Sequence, residues 1–72
     1  GRIAAPMPGK IVGTHAKVGD TVAEGDVLLE LEAMKMVHRV NSDVDGVVVS
    51  LADAGALVKD GEIIAHVEVD EE

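Results

Sequence analysis

Apolar residues recur at every second position in two long runs of this chain, each cut off by glycine and acidic residues. In 27–33, Val27, Leu29, Leu31 and Ala33 fall on one face and Glu30 and Glu32 on the other. Leu28 breaks the alternation and is expected to be half covered. In 63–69, Ile63, Ala65, Val67 and Val69 read as inward and His66 and Glu68 as outward. A period of two predicts strands with one buried face. Shorter runs fit the same reading: Arg2 to Ala5, Lys10 to His15, Thr21-Val22, Met36 to Val40, Val47 to Leu51 and Leu57-Val58. Glycines in Val18-Gly19-Asp20, Glu24-Gly25-Asp26, Ala54-Gly55 and Asp60-Gly61-Glu62 mark turns, and Pro6-Met7-Pro8-Gly9 forces a turn or crossover. Asn41 to Gly46 is also turn-rich. Helical spacing is nowhere convincing, and Ala52-Asp53-Ala54 is too short to nucleate a helix.

The strands and turns repeat. Gly9-Lys10-Ile11-Val12 matches Gly46-Val47-Val48-Val49 at an offset of 37. After one deleted residue, Gly19 matches Gly55, Val22 matches Val58, and Gly25-Asp26-Val27-Leu28 matches Gly61-Glu62-Ile63-Ile64 at an offset of 36. The chain therefore reads as one domain, 1–72, built from half-repeats of about 3–35 and 36–70, with an acidic tail at 70–72. Neither half can bury its apolar face alone, so a pseudo-twofold, all-β, two-layer structure is expected. Lys35 then matches Glu71, which puts the middle of the chain and its two ends at opposite poles.

Composition narrows the partners. There is no Phe, Tyr, Trp or Cys, so base stacking, thiolate metal sites and thiol nucleophiles are excluded. A formal net charge of −8 opposes binding to a phosphate backbone, so nucleic acid is not an expected partner. No apolar run approaches the roughly 18 residues of a membrane span and no signal-peptide pattern opens the chain, so a cytoplasmic setting is the expectation. The first residue is Gly1, not methionine, which is the look of a piece excised from a larger chain.

The candidate chemistry lies at the join of the two halves. Val27 to Leu31 runs up to Glu32-Ala33-Met34-Lys35-Met36, and Met36 to Val40 runs away from it. With strand on both sides and no Gly, Pro or Asn between, this reads as a tight hairpin that carries Lys35 at its tip. Met34 and Met36 would then be apolar side chains at a position that faces water, where core filling is the ordinary use of methionine. His15, His38 and His66 have no paired ligand spacing, and no metal site is expected. The acids beside glycines are explained by turn chemistry, and Glu30 and Glu32 read equally as a solvated face or as an approach to Lys35.

Ala5-Pro6-Met7-Pro8-Gly9, Val18-Gly19-Asp20, Glu24-Gly25-Asp26, Glu32-Ala33-Met34-Lys35-Met36, Asp45-Gly46 and Gly61-Glu62 together resemble the biotinyl domain of biotin-dependent carboxylases, in the biotinyl/lipoyl attachment family. The likeness spans nearly the whole chain. It implies a flattened barrel of two four-stranded antiparallel sheets, with biotin joined by an amide to Lys35 by a biotin protein ligase, and Met34 and Met36 as flanking recognition residues. It also implies a non-catalytic carrier that shuttles a carboxyl group between a biotin carboxylase and a carboxyltransferase. Thr14 to Asp26 leaves no room for the protruding loop found in some members. Val37-His38-Arg39 replaces the acidic or polar stretch that often follows the motif. Two alternatives stand beside this reading: a lipoyl carrier of similar fold, in which Asp-Lys-Ala usually occupies the tip, and an unmodified protein-interaction barrel.

Overall fold

The computed structural model describes residues 1–69. They form eight strands: β1 (Arg2–Ala4), β2 (Gly9–Thr14), β3 (Thr21–Val22), β4 (Val27–Ala33), β5 (Met36–Asn41), β6 (Gly46–Leu51), β7 (Leu57–Val58) and β8 (Ile63–Val69). Two four-stranded sheets result, with orders β1-β8-β6-β3 and β5-β4-β2-β7, and every pairing is antiparallel. We call them the terminal sheet and the hairpin sheet.

The internal repeat maps one sheet onto the other. Exchanging β1 with β5, β2 with β6, β3 with β7 and β4 with β8 converts the first strand order into the second. The irregularities follow the same rule. A register shift between Ile11 and Gly13 in β2 recurs between Val48 and Ser50 in β6. Close approaches recur as well. A Cβ on Gly9 would meet the carbonyl oxygen of Glu32, and one on Gly46 would meet that of Glu68. Glycine is required at both places because two backbones meet there.

The core is aliphatic and continuous. Ile11, Leu28, Leu29 and Leu31 from the hairpin sheet face Val48, Ile64, Ala65 and Val67 from the terminal sheet, all at most 2% exposed. Burying one such leucine or isoleucine contributes about 1.5–3 kcal/mol, which without aromatics must come from many small side chains.

Strict alternation misplaces three residues, Leu28, Ile63 and Ile64. Leu28 is fully buried rather than half covered, whereas Ile63 is 50% exposed and its neighbour Ile64 only 2%. The cause is a bulge at the start of each long strand. On β4 the partners step from Val27↔Asn41 to Leu29↔Val40, and on β8 from Ile63↔Ala4 to Ala65↔Ile3. The skipped residue, Leu28 or Ile64, turns inward beside its successor. Val69 keeps inward parity but is half exposed at the end of its strand. The match of Lys35 with Glu71 falls outside the described residues.

The hairpin lies away from Val69, the last described residue of β8. Val69 pairs with Gly46, which also pairs with Val22. Nearby Ser42 donates its N–H to the carbonyl oxygen of Asp26, just before β4 begins. The end of β8 thus lies beside the start of β4, and the hairpin lies beyond the other end of β4.

Leu28→Ala is expected to cost about 2–5 kcal/mol in urea unfolding, a large share of the stability of so small a domain. Gly46→Ala should cost at least about 2 kcal/mol, since the obstacle is backbone and cannot swing aside. A Gly46→Ala domain within about 0.5 kcal/mol of wild type would contradict the close approach.

Candidate functional site

The register Ala33↔Met36 leaves Met34 and Lys35 as a two-residue loop between β4 and β5. Both have positive φ, 53° and 65°, which is what the right-handed twist of a two-residue hairpin demands of its central residues. Glycine or asparagine normally fills such positions, and a side chain there costs on the order of 1 kcal/mol per residue. The strands impose this conformation. β4 is bonded on both sides, by β5 and by β2, and its Leu29 and Leu31 are wholly buried.

This tip sets Lys35 in solvent, and no salt bridge among the described residues holds its ammonium group. Met34 is 87% exposed and Met36 63%, so neither fills a core gap. An open groove of about 320 Å³ is lined by residues of β6 to β8 and the turns between them, and by none of the hairpin. The loop joining β2 to β3 is only His15–Asp20 and is closed by Asp20 Oδ2 accepting from Lys17 N–H. It carries no protruding insertion, as its length foretold.

Beside the tip, on the outer face of the hairpin sheet, cross-strand pairing aligns Val37, Glu32, Lys10 and Leu57 in one row from β5 to β7. Val37 is 51% exposed and Leu57 80%. Two rungs further, on the same face, Arg39 stands opposite Glu30, but the Glu30 carboxylate is taken by His15 at 2.6 Å. That exposed pair contributes little stability. Glu32 thus belongs to the row and Glu30 to a separate surface contact. The sequence marked Val37 only as part of the departure Val37-His38-Arg39 and did not single out Lys10 or Leu57, because only the register of three strand pairs brings them together. His15, just past β2, His38 on β5 and His66 on β8 lie apart. Among the described residues no group of three or more His, Cys, Asp or Glu is placed to hold a metal ion. Among the described residues no helix is long and apolar enough to cross a membrane.

Comparisons with known proteins agree with this geometry. The family model described as "Biotin-requiring enzyme" matches residues 1–70. The mitochondrial methylcrotonoyl-CoA carboxylase subunit alpha of Dictyostelium discoideum is 42% identical over 66 residues, 90% of this chain but 9% of that protein. Glutaconyl-CoA decarboxylase subunit gamma of Acidaminococcus fermentans is 58% identical over 38 residues, 53% of this chain and 26% of that one. Among solved structures, the urea carboxylase of Kluyveromyces lactis matches with a TM-score of 0.87 and 28% identity, covering 94% of this chain and 6% of its own. The lipoyl domain of the 2-oxoglutarate dehydrogenase complex from Azotobacter vinelandii matches with a TM-score of 0.79 and 26% identity, covering 93% and 94%. The chain thus spans a small part of the carboxylases it matches and nearly all of an isolated lipoyl domain.

The fold is that of the biotinyl/lipoyl carrier domains. The chain belongs to the family of biotin-requiring enzymes, as a biotin carrier domain that is not itself a catalyst.

If the left-handed turn is imposed by the strands, relieving it at Met34 should stabilise the domain. Met34→Asn is expected to raise the melting temperature by about 3–6 °C. A fall in melting temperature would show that Met34 is not held at the strained position described.

Proposed function

We propose that Lys35 carries biotin in amide linkage and that the loaded tip moves a carboxyl group between two catalytic sites of a biotin-dependent carboxylase or decarboxylase. The observation that supports this most is the exposed Lys35 on a strained two-residue tip, in a chain whose family match runs over residues 1–70. The names of the relatives, acyl-CoA carboxylase subunits and a decarboxylase subunit, favour the same reaction class.

Biotin, when bound, supplies a ureido nitrogen that can accept and release a carboxyl group. The chain's own part is positional. Nζ forms the amide with net loss of water, which removes the ammonium charge and leaves the tip more apolar. The four methylenes of Lys35 add reach to the attached chain. The scaffold then holds a high effective concentration of the group at each catalytic site, without a binding contact of its own. Met34 and Met36, unbranched and polarizable, give adaptable contacts to more than one protein surface. The partners of this reading are a biotin protein ligase, a biotin carboxylase and a carboxyltransferase.

Intact mass after incubation with a biotin protein ligase, biotin and ATP should rise by about 226 Da, against about 188 Da for a lipoyl group after lipoylation. Lys35→Arg keeps the charge and should abolish the adduct without lowering the melting temperature. A streptavidin blot still positive on that variant would refute the assignment. Met34→Ala with Met36→Ala should leave the melting temperature unchanged while slowing carboxyl transfer per loaded domain. A sharp drop in melting temperature with transfer intact would make the methionines structural.

A further inference from the structure

We infer that Leu57 and Val37, the two apolar ends of the row beside the hairpin, form the surface on which the lysine-acylating enzyme seats itself. The inference rests on the reading of Lys35 as the attachment site. It identifies a docking face outside the attachment motif.

The internal repeat serves as a control for what the fold needs. The structural mate of Leu57 is Thr21: both begin a two-residue edge strand, and each edge strand pairs with the strand that carries a close-approach glycine, β3 with β6 and β7 with β2. Thr21 pairs with Val47, which pairs with Glu68, just as Leu57 pairs with Lys10, which pairs with Glu32. A small hydroxyl side chain satisfies this place in one half. A leucine that is 80% exposed occupies it in the other, so its apolar surface serves no packing purpose. Exposed Val12 and Val49, by contrast, are mates of each other at 43% and 39%, and their exposure belongs to the fold. The exposed apolar residues at Leu57, Val37, Met34 and Met36 have no such explanation: Met34 is in the turn, Met36 and Val37 follow it on β5, and Leu57 stands on β7 at the other edge of the same sheet, in the row that Val37 begins.

Reach decides which partner this face fits. Acylating Nζ leaves the incoming enzyme only the lysine stem, about 6 Å, between its active site and the domain surface. Such an enzyme has to cover the ground next to the tip. Catalysts that receive the loaded arm work at a longer distance and can leave this ground open. The row lies one rung below the turn. It spans three strand spacings, about 14 Å, with a lysine and a glutamate between its apolar ends. An enzyme surface with two apolar recesses flanking an acid opposite Lys10 and a base opposite Glu32 would complement it.

Leu57→Thr copies the residue that the other half already tolerates, and Val37→Thr keeps the β-branched shape. With a biotin protein ligase, biotin and ATP, each variant should raise the KM for the unmodified domain about ten-fold with kcat unchanged, as expected for loss of an apolar contact. Thr21→Leu should change neither. Melting temperatures of all three should stay within about 2 °C of wild type. Unchanged KM in both Leu57→Thr and Val37→Thr would overturn the inference. So would a sharp fall in melting temperature, which would make these residues structural, or normal ligation with impaired carboxyl transfer, which would give the face to a later catalyst. Failure of the wild-type domain to gain the biotin mass at all would instead overturn the reading of Lys35.

Discussion

The position of β4, gripped from both sides and buried on one face, is the constraint on which the rest depends. Its edges are bonded to β5 and β2, and Leu28, Leu29 and Leu31 are each 0% exposed. Burial of three leucines contributes several kcal/mol, against a cost on the order of 1 kcal/mol for each of two side chains at positive φ. The strands therefore win, and Met34 and Lys35 adopt a turn that their own chemistry does not favour. A tip made this way does not depend on glycine, so both of its positions stay available for functional side chains.

Doubling explains how so small a chain supports such a tip. Each half supplies one face of a shared aliphatic core, with bulges and glycine contacts at matching places. Where the halves agree, the shared feature is a requirement of the fold. Where they differ, at Leu57 against Thr21 or at the hairpin against the chain ends, the difference points to work done by one half alone. The carrier reading agrees with this asymmetry: one half ends in a turn that presents an amine to solvent.

Much of this was legible in the sequence, for reasons that particular residues make plain. Val27 to Ala33 alternates because one face of β4 is buried, and Thr21-Val22 and Leu57-Val58 stand out because turn residues bracket them. Lys35 was legible because two strands flank it without a turn residue between. Leu28 and Ile63 were misread because a bulge is a property of two paired strands, and a period of two in one strand does not record it. The row of Val37, Glu32, Lys10 and Leu57 was hidden for a similar reason. Its members are scattered over 10–57, and only cross-strand register makes them neighbours.

Peptide mapping of the domain after enzymatic biotinylation tests the central claim most directly. The account predicts label on the peptide that contains Lys35, with Lys10, Lys17 and Lys59 unmodified although all three are also exposed. Label distributed among those lysines, or absent from Lys35, would contradict it.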